Sequence, residues 1–190
     1  MLVGSGLPGI LNLGAQLKVT RFFGAGINVG LIPTVKVGFY GDATVAYQEY
    51  DAYGHIYPFG GAFFIGTGIG YATVHGTLSN QFSVPNIPTA ITVNSEASVR
   101  TLVLTPQLGF MHVFKFGFAI GFGVGAQVPV APSQVDFTTV APMLPPGLEV
   151  FENTVRTQYI NPNDAKVRDT LDKVGRTPLP TFDLKIGWFL

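Results

Sequence analysis

From Phe116 to Gln134 the chain carries no charged residue, a run about as long as a membrane-spanning helix requires. Its interior opposes that reading. Gly117, Gly121, Gly123 and Gly125 alternate with Phe118, Ile120, Phe122 and Val124, a period of two with enough glycine to weaken any helix. The run therefore reads as a strand with one bulky apolar face and one nearly empty face.

The same alternation recurs along the chain. Leu11, Leu13, Ala15, Leu17 and Val19 oppose Asn12, Gly14, Gln16 and Lys18, and after a turn near residue 21 Phe23, Ala25, Ile27, Val29 and Leu31 oppose Gly24, Gly26, Asn28 and Gly30. A more polar strand over 44–57 places Glu49, Asp51, Tyr53, His55 and Tyr57 on one side. Beyond the Pro58-Phe59-Gly60-Gly61 turn, Phe63, Ile65, Thr67, Ile69 and Tyr71 alternate with Phe64, Gly66, Gly68, Gly70 and Ala72. A polar link over 79–97 leads to a strand with Leu102, Leu104, Leu108 and Phe110 on one face, where Pro106 predicts an interrupted or bulged ladder. The last nine residues alternate again: Phe182, Leu184, Ile186, Trp188 and Leu190 against Asp183, Lys185, Gly187 and Phe189.

These strands number seven, whereas a single-chain bacterial barrel has an even number. An eighth could come from Leu2–Pro8, from an upstream segment, or from a hidden strand such as Leu148–Ile160. The fold class expected is all-β, an antiparallel up-and-down transmembrane barrel of about eight strands forming a single domain over 1–190. Residues 131–178 form a polar insert before the last strand, with half of the charged residues, 11 of 22. Within it Pro162–Val174 predicts a short helix: Pro162 in the first turn, an apolar stripe of Val167, Leu171 and Val174, an i,i+4 pair of Asp169 with Lys173, and Gly175 as the stop.

Charged residues make up only 12%, about half the share of an ordinary soluble domain, so the outside is not all in water or the chain is a subunit. Net charge is zero, and without clustered Lys and Arg a nucleic-acid partner is disfavoured. The absence of cysteine removes disulfides and thiol chemistry. The N-terminal stretch has neither a basic region nor a long apolar one, so it is not a secretory signal; an exported protein would have lost its signal or carry it upstream. Turns near 21, 59 and 115 are tight and links near 37, 88 and 155 longer, the asymmetry of outer-membrane barrels.

The pattern over residues 10–130 and the motif over 181–190 resemble the small outer-membrane β-barrels of the OmpA-membrane-domain and OmpX type. The segment Tyr57-Pro58-Phe59-Gly60-Gly61-Ala62-Phe63-Phe64-Ile65-Gly66 is similar to strand-turn-strand segments of such proteins. The resemblance implies a cell outer membrane location, outer-membrane lipid as surroundings, and a C-terminal assembly signal of Phe182, Leu184, Ile186, Trp188 and Leu190 read by the barrel-insertion machinery. Leu190 departs from the phenylalanine usual at that position.

Candidate chemistry is sparse. The glycine clusters lie inside strand patterns and do not match a nucleotide-binding turn; they leave room for larger inward residues, so an eight-stranded lumen would be packed or narrow. Lys18, Glu49, Asp51, Gln107, Asp183 and Lys185 are expected to form a lumenal polar network, either an ion path or a set of paired charges. His55, His75 and His112 have no metal-ligand spacing, and neither a metal nor a cofactor is expected. His75 with Ser79 is the one neighbourhood with a base near a hydroxyl, which keeps an outer-membrane lipid-modifying enzyme as an alternative, although the expectation is a non-enzyme. Tyr40, Tyr47, Tyr50, Tyr71, Phe22, Phe23 and Trp188 are candidates for aromatic girdles. Function is expected to lie in the long loops, through a structural role or an extracellular surface partner; a soluble lipocalin-like barrel holding a small apolar ligand is the other alternative.

Overall fold

In a computed structural model, residues 1–37, 42–82, 91–140 and 161–188 are described. They form nine strands and one helix: β1 (Leu2–Leu7), β2 (Leu11–Lys18), β3 (Phe23–Val37), β4 (Asp42–Ile56), β5 (Phe63–Phe82), β6 (Ile91–Val113), β7 (Phe118–Pro129), β8 (Gln134–Val140), α1 (Asn161–Arg176) and β9 (Leu179–Trp188). All pairings are antiparallel. The ladder runs β5-β4-β3-β2-β1-β9-β7-β6 and closes through β5–β6, an eight-stranded barrel to which β8 adds a ninth strand.

Residues Leu2–Leu7 supply the eighth strand, antiparallel to both β2 and β9. They pair with β9 from Leu2↔Gly187 to Leu7↔Phe182, so the barrel has no gap at its seam. The alternative hidden strand over 148–160 lies outside the described residues. The polar insert nevertheless contains a strand, because β8 pairs Gln134–Val140 with Arg100–Asn94 of β6. It continues the line of β7, which pairs with β6 over Val103–Val113. The two are separated by Val130-Ala131-Pro132-Ser133, where proline cannot donate to a ladder.

The expected link over 79–97 is also largely strand. β5 and β6 are 20 and 23 residues long and pair continuously from Phe63↔Phe110 to Phe82↔Ile91, so only 83–90 connects them. The link near 37 shortens to 38–41 for the same reason. Pro106 leaves the β5 side intact, pairing with Thr67, but on the β7 side pairing passes from Leu104↔Val128 to Gln107↔Gly125. The ladder is interrupted there without a shift of register. A true bulge lies in β3, where the register shifts between Ile32 and Val35 around Pro33.

At one end the tight turns 19–22, 57–62 and 114–117 cluster together. Gly60 and Gly117 adopt φ of 61° and 86°, left-handed values glycine takes without strain, and their amides close the turns onto Tyr57 O and Phe114 O, each at 2.9 Å. At the opposite end the rim is uneven. The β1–β2 link, Pro8–Ile10, makes a low rim, whereas the upper part of β3 with β4, β5, β6 and β8 rises past the barrel as a wall.

Alternation sets the contents of each face. Inward positions carry Gln16, Glu49, Tyr53, His55, Gln127 and Lys185, all buried, while outward positions carry exposed Leu13, Leu17, Ile27, Leu108, Phe122 and Ile186. A lipocalin-like barrel requires the opposite arrangement. The outward apolar band runs from Phe63 to Tyr71 on β5, about the nine residues that a tilted strand needs to cross a bilayer.

Helix α1 begins one residue before Pro162 and ends one after Gly175, so Gly175 does not stop it. A side chain on Gly175 would meet Ser133 Cβ at 2.7 Å and Val99 Cγ1 at 3.0 Å. Its bare Cα is what lets the helix touch the inner face of the wall. The buried side of α1 is accordingly Val167, Leu171 and Gly175, while Val174 is half exposed.

Candidate functional site

The barrel has two distinctive places, its lumen and its wall. At the turn end the lumen is shut by an apolar floor of Leu2, Tyr57, Phe64, Met111 and Ala119, with Tyr57 wholly buried at 0% exposure. Small residues opposite make this possible. A side chain on Gly121 would strike Met111 Cε at 2.6 Å, and one on Gly26 would strike the Tyr53 ring at 2.5 Å. Inward glycine thus converts directly into room for aromatic side chains on facing strands.

Above the floor, β4 presents Tyr57, His55 and Tyr53 at alternate positions. The His55 ring stacks on Phe64 with centroids 4.0 Å apart and lies between two amides, Gln16 Nε2 at 3.3 Å from Nδ1 and Gln107 Nε2 at 3.0 Å from its own Nε2. Gln16 also donates to the Tyr57 hydroxyl at 2.9 Å and accepts from the Tyr53 hydroxyl at 3.3 Å. A belt of alternating aromatic and amide groups results.

The charged layer lies next. Gln127 donates to Glu49 Oε1 at 2.6 Å, the Tyr47 hydroxyl donates to Glu49 Oε2 at 3.0 Å, and Asn28 donates to Asp51 Oδ2 at 3.1 Å. Lys185 pairs with Asp183 at 3.3 Å and stands over the Tyr53 ring, 4.9 Å from its centroid. Among the described residues this is the one lumenal ion pair; the other carboxylates are held by neutral donors. The expected network therefore divides. Glu49, Asp51, Asp183 and Lys185 line one cavity, Gln107 joins it while serving His55, and Lys18 sits apart near the floor, donating to Gly61 O at 3.3 Å and lying 4.0 Å from the centre of the Tyr57 ring. Sequence reasoning did not assign Tyr47, His55, Asn28 or Gln127 to the polar network, taking Tyr47 for a girdle residue and weighing His55 only as a metal ligand, because a lone amide or aromatic in a strand gives no spacing to recognise.

That cavity is small. Its water-accessible volume is about 40 Å³, room for a few waters, and it borders Leu7, Pro8 and Gly9 at the low rim. Thr105 Oγ1, buried without a protein hydrogen-bond partner, also belongs to this lining. It stands beside Pro106, where the β6–β7 ladder is interrupted.

On the wall, the neighbourhood expected at His75 and Ser79 is rearranged. The Ser79 hydroxyl bonds Asn94 Oδ1, and His75 Nε2 lies 3.5 Å from Ser98 Oγ on the adjacent strand. Asp136 faces Ser98 from the other side. Serine is thus in the middle of the row, whereas a catalytic triad places histidine between serine and carboxylate. Helix α1 is secured to the inner face of the wall: the Ser133 hydroxyl donates to Asp172 at 2.9 Å, Arg168 donates to Phe137 O at 2.9 Å, and Arg176 pairs with Asp172 at 2.9 Å. The expected Asp169–Lys173 pair forms at 2.7 Å on the exposed side. No group of three His, Cys, Asp or Glu side chains among the described residues is placed to hold a metal.

The aromatic candidates also divide. Phe22, Phe23 and Trp188 are exposed at the turn end, beside a contiguous set in which Phe114, Phe116, Phe118 and Trp188 stack or meet edge to face. Tyr50 and Tyr71 face outward as a cross-strand pair at the top of the apolar band. Tyr47 faces inward and is buried, while Tyr40 lies outside the described residues. Of the expected assembly signal, Phe182, Leu184, Ile186 and Trp188 all point outward from β9; Leu190, like Phe189, is outside the described residues.

No family model matches the sequence, and no curated protein matches it by sequence. Solved structures do match in shape. Over its full length the chain is similar to CarO of Acinetobacter baumannii, at 13% identity, 96% coverage of that chain and a TM-score of 0.54. It is likewise similar to CarO2 of the same organism, at 11% identity, 96% coverage and a TM-score of 0.51. At such identities the likeness is one of architecture: the chain has the fold of a small outer-membrane β-barrel.

Proposed function

We propose that this chain is an integral outer-membrane barrel that does not conduct and that works from its extracellular side. The observation that carries this reading is the inverted distribution of side chains: an apolar outer band over a lumen filled by hydrogen-bonded polar groups and shut by the Tyr57–Phe64–Met111 floor. The turn end, with its short connections, faces the periplasm, and the wall with helix α1 faces outward, as in barrels of this class. The lumen acts as a rigid strut, its buried carboxylates fixed by donors rather than arranged as a path.

The outward apolar row Phe182, Leu184, Ile186 and Trp188 serves assembly, as the surface by which the barrel-insertion machinery receives the closing strand. The surface role belongs to the wall, α1 and the connections they carry, with no catalysis assigned to His75. Extraction and electrophysiology together test the proposal. The protein should require detergent for extraction, show a folded-versus-boiled gel shift, and give no conductance steps in a planar bilayer, while a Tyr57→Ala/Phe64→Ala variant opens measurable steps. Partition into buffer without detergent would overturn the membrane reading, and steps from the unaltered protein would overturn the strut.

A further inference from the structure

We infer that the outward face of the wall is a contact surface for the saccharide headgroups of an outer-leaflet glycolipid. The inference rests on the membrane placement proposed above, which determines what surrounds this face. Its starting point is an abrupt change of chemistry within single strands. The Tyr50–Tyr71 pair, with Leu102 beside it, ends the apolar band. The next outward positions carry hydroxyls, amides and isolated charges, among them Thr73, Thr77, Ser79, Asn94, Ser98 and Thr138. Among the outward positions of β4, β5, β6 and β8 above that pair, apolar residues stand only at Ala46 and at Val140, the last residue of β8.

Height selects the occupant. From Thr73 to Phe82 β5 continues for about ten residues, which at ~3.3 Å of rise and a usual barrel tilt lifts the wall roughly 25 Å above the band. A phospholipid headgroup layer accounts for only about 5–8 Å of that. A headgroup that continues as a chain of sugars fills the remainder, and the wall meets it without a break because the ladder between β5 and β6 is continuous across the boundary.

Charge points the same way. Arg100 is offset by Glu96 and Asp136 on the same face, so the wall has no basic cluster with which to hold a layer of phosphates. Its chemistry is that of hydroxyl and amide hydrogen bonding. Thr44 and Thr77 are joined at 2.5 Å across strands, Ser79 is joined to Asn94, and Ser98 lies near His75. These cross-strand partners hold the side chains in place, reducing the rotamer freedom lost when sugars bind.

The chain has no cysteine, so a single Thr77→Cys substitution can carry an environment-sensitive probe. The labelled protein is refolded into three kinds of vesicle: phospholipid alone, phospholipid with a sugar-trimmed lipid A anchor, and phospholipid with full-length lipopolysaccharide. Quenching by aqueous iodide should fall severalfold only in the third, and Thr73→Val with Ser98→Ala should abolish most of that protection while leaving the folded-versus-boiled shift intact. Equal quenching in all three vesicles, in protein that shows the shift, overturns the saccharide contact alone. Equal protection by the trimmed anchor assigns the face to the phosphate boundary instead and overturns it as well. Protection that grows with protein density in plain phospholipid makes a second copy the occupant. Absence of the shift in every vesicle overturns both this inference and the membrane reading beneath it.

Discussion

β5 and β6 carry two different surfaces on one uninterrupted ladder. Below Tyr71 and Leu102 their outward side chains are Ile65, Ile69, Leu104 and Leu108; above, they are Thr73, Thr77, Ser98 and Arg100. Backbone pairing is the same in both halves, so the difference lies in what each half must face. Inside, the contrast runs the other way: charged and amide groups line the lumen behind the band, while above them Tyr47, Ala72 and Val103 form an apolar cluster with Ile32 and Val74. A strand here is thus a fixed frame whose two faces are solvated independently at each height.

The comparison breaks most strongly at the floor. Phe64→Ala removes the ring on which His55 stacks and should cost about 3–5 kcal/mol, measured by denaturant unfolding in vesicles. Next comes charge in the band: Leu108→Arg, near the middle of the apolar stretch, should cost about 2–4 kcal/mol. Arginine at Thr77, in the wall, should change stability by no more than about 0.5 kcal/mol. Equal costs at 108 and 77 would show that the two halves share one environment. The smallest effect on the barrel itself is expected from Gly175→Val. A branched side chain there collides with Ser133 and Val99, so α1 should lift from the wall and become open to proteolysis while the gel shift of the barrel is unchanged.

The same contrast explains what the sequence disclosed. Wherever lipid-facing positions alternate with glycine or amide, as in β2, β3, the lower part of β5, β7 and β9, period two was legible and the observed strands follow it. Above the band the outward face turns polar and the apolar positions pass to the inner face, where Tyr47, Ala72 and Val103 cluster with Ile32 and Val74, so the expected phase is lost and residues 79–82 and 91–97 resemble a linker although they are paired strand. β8 was hidden for the same reason and by the proline before it. β1 is short and rich in glycine, so its existence could be raised from the parity of strands but not read from its residues. In the lumen, charge drew attention to Glu49, Asp51, Asp183 and Lys185, but the donors that satisfy them, Tyr47, Asn28 and Gln127, come from three different strands. Gly175 shows the limit of a local rule, since its position near a helix end invites a capping role and only the facing sheet discloses a docking role.

The seam gives the molecule a direction in which to open. β1 shares the register Leu2–Gly4 with Gly14–Asn12 of β2 and six residues with β9, whereas β5 and β6 are joined along the full length of β5. A closed hoop is only as strong as its weakest joint, so lateral stress from the bilayer is borne unequally around the circumference. Amides of β1 will exchange hydrogen before those of the tall hairpin, and forced opening will begin at the low rim, leaving the wall standing while the ring beneath it parts.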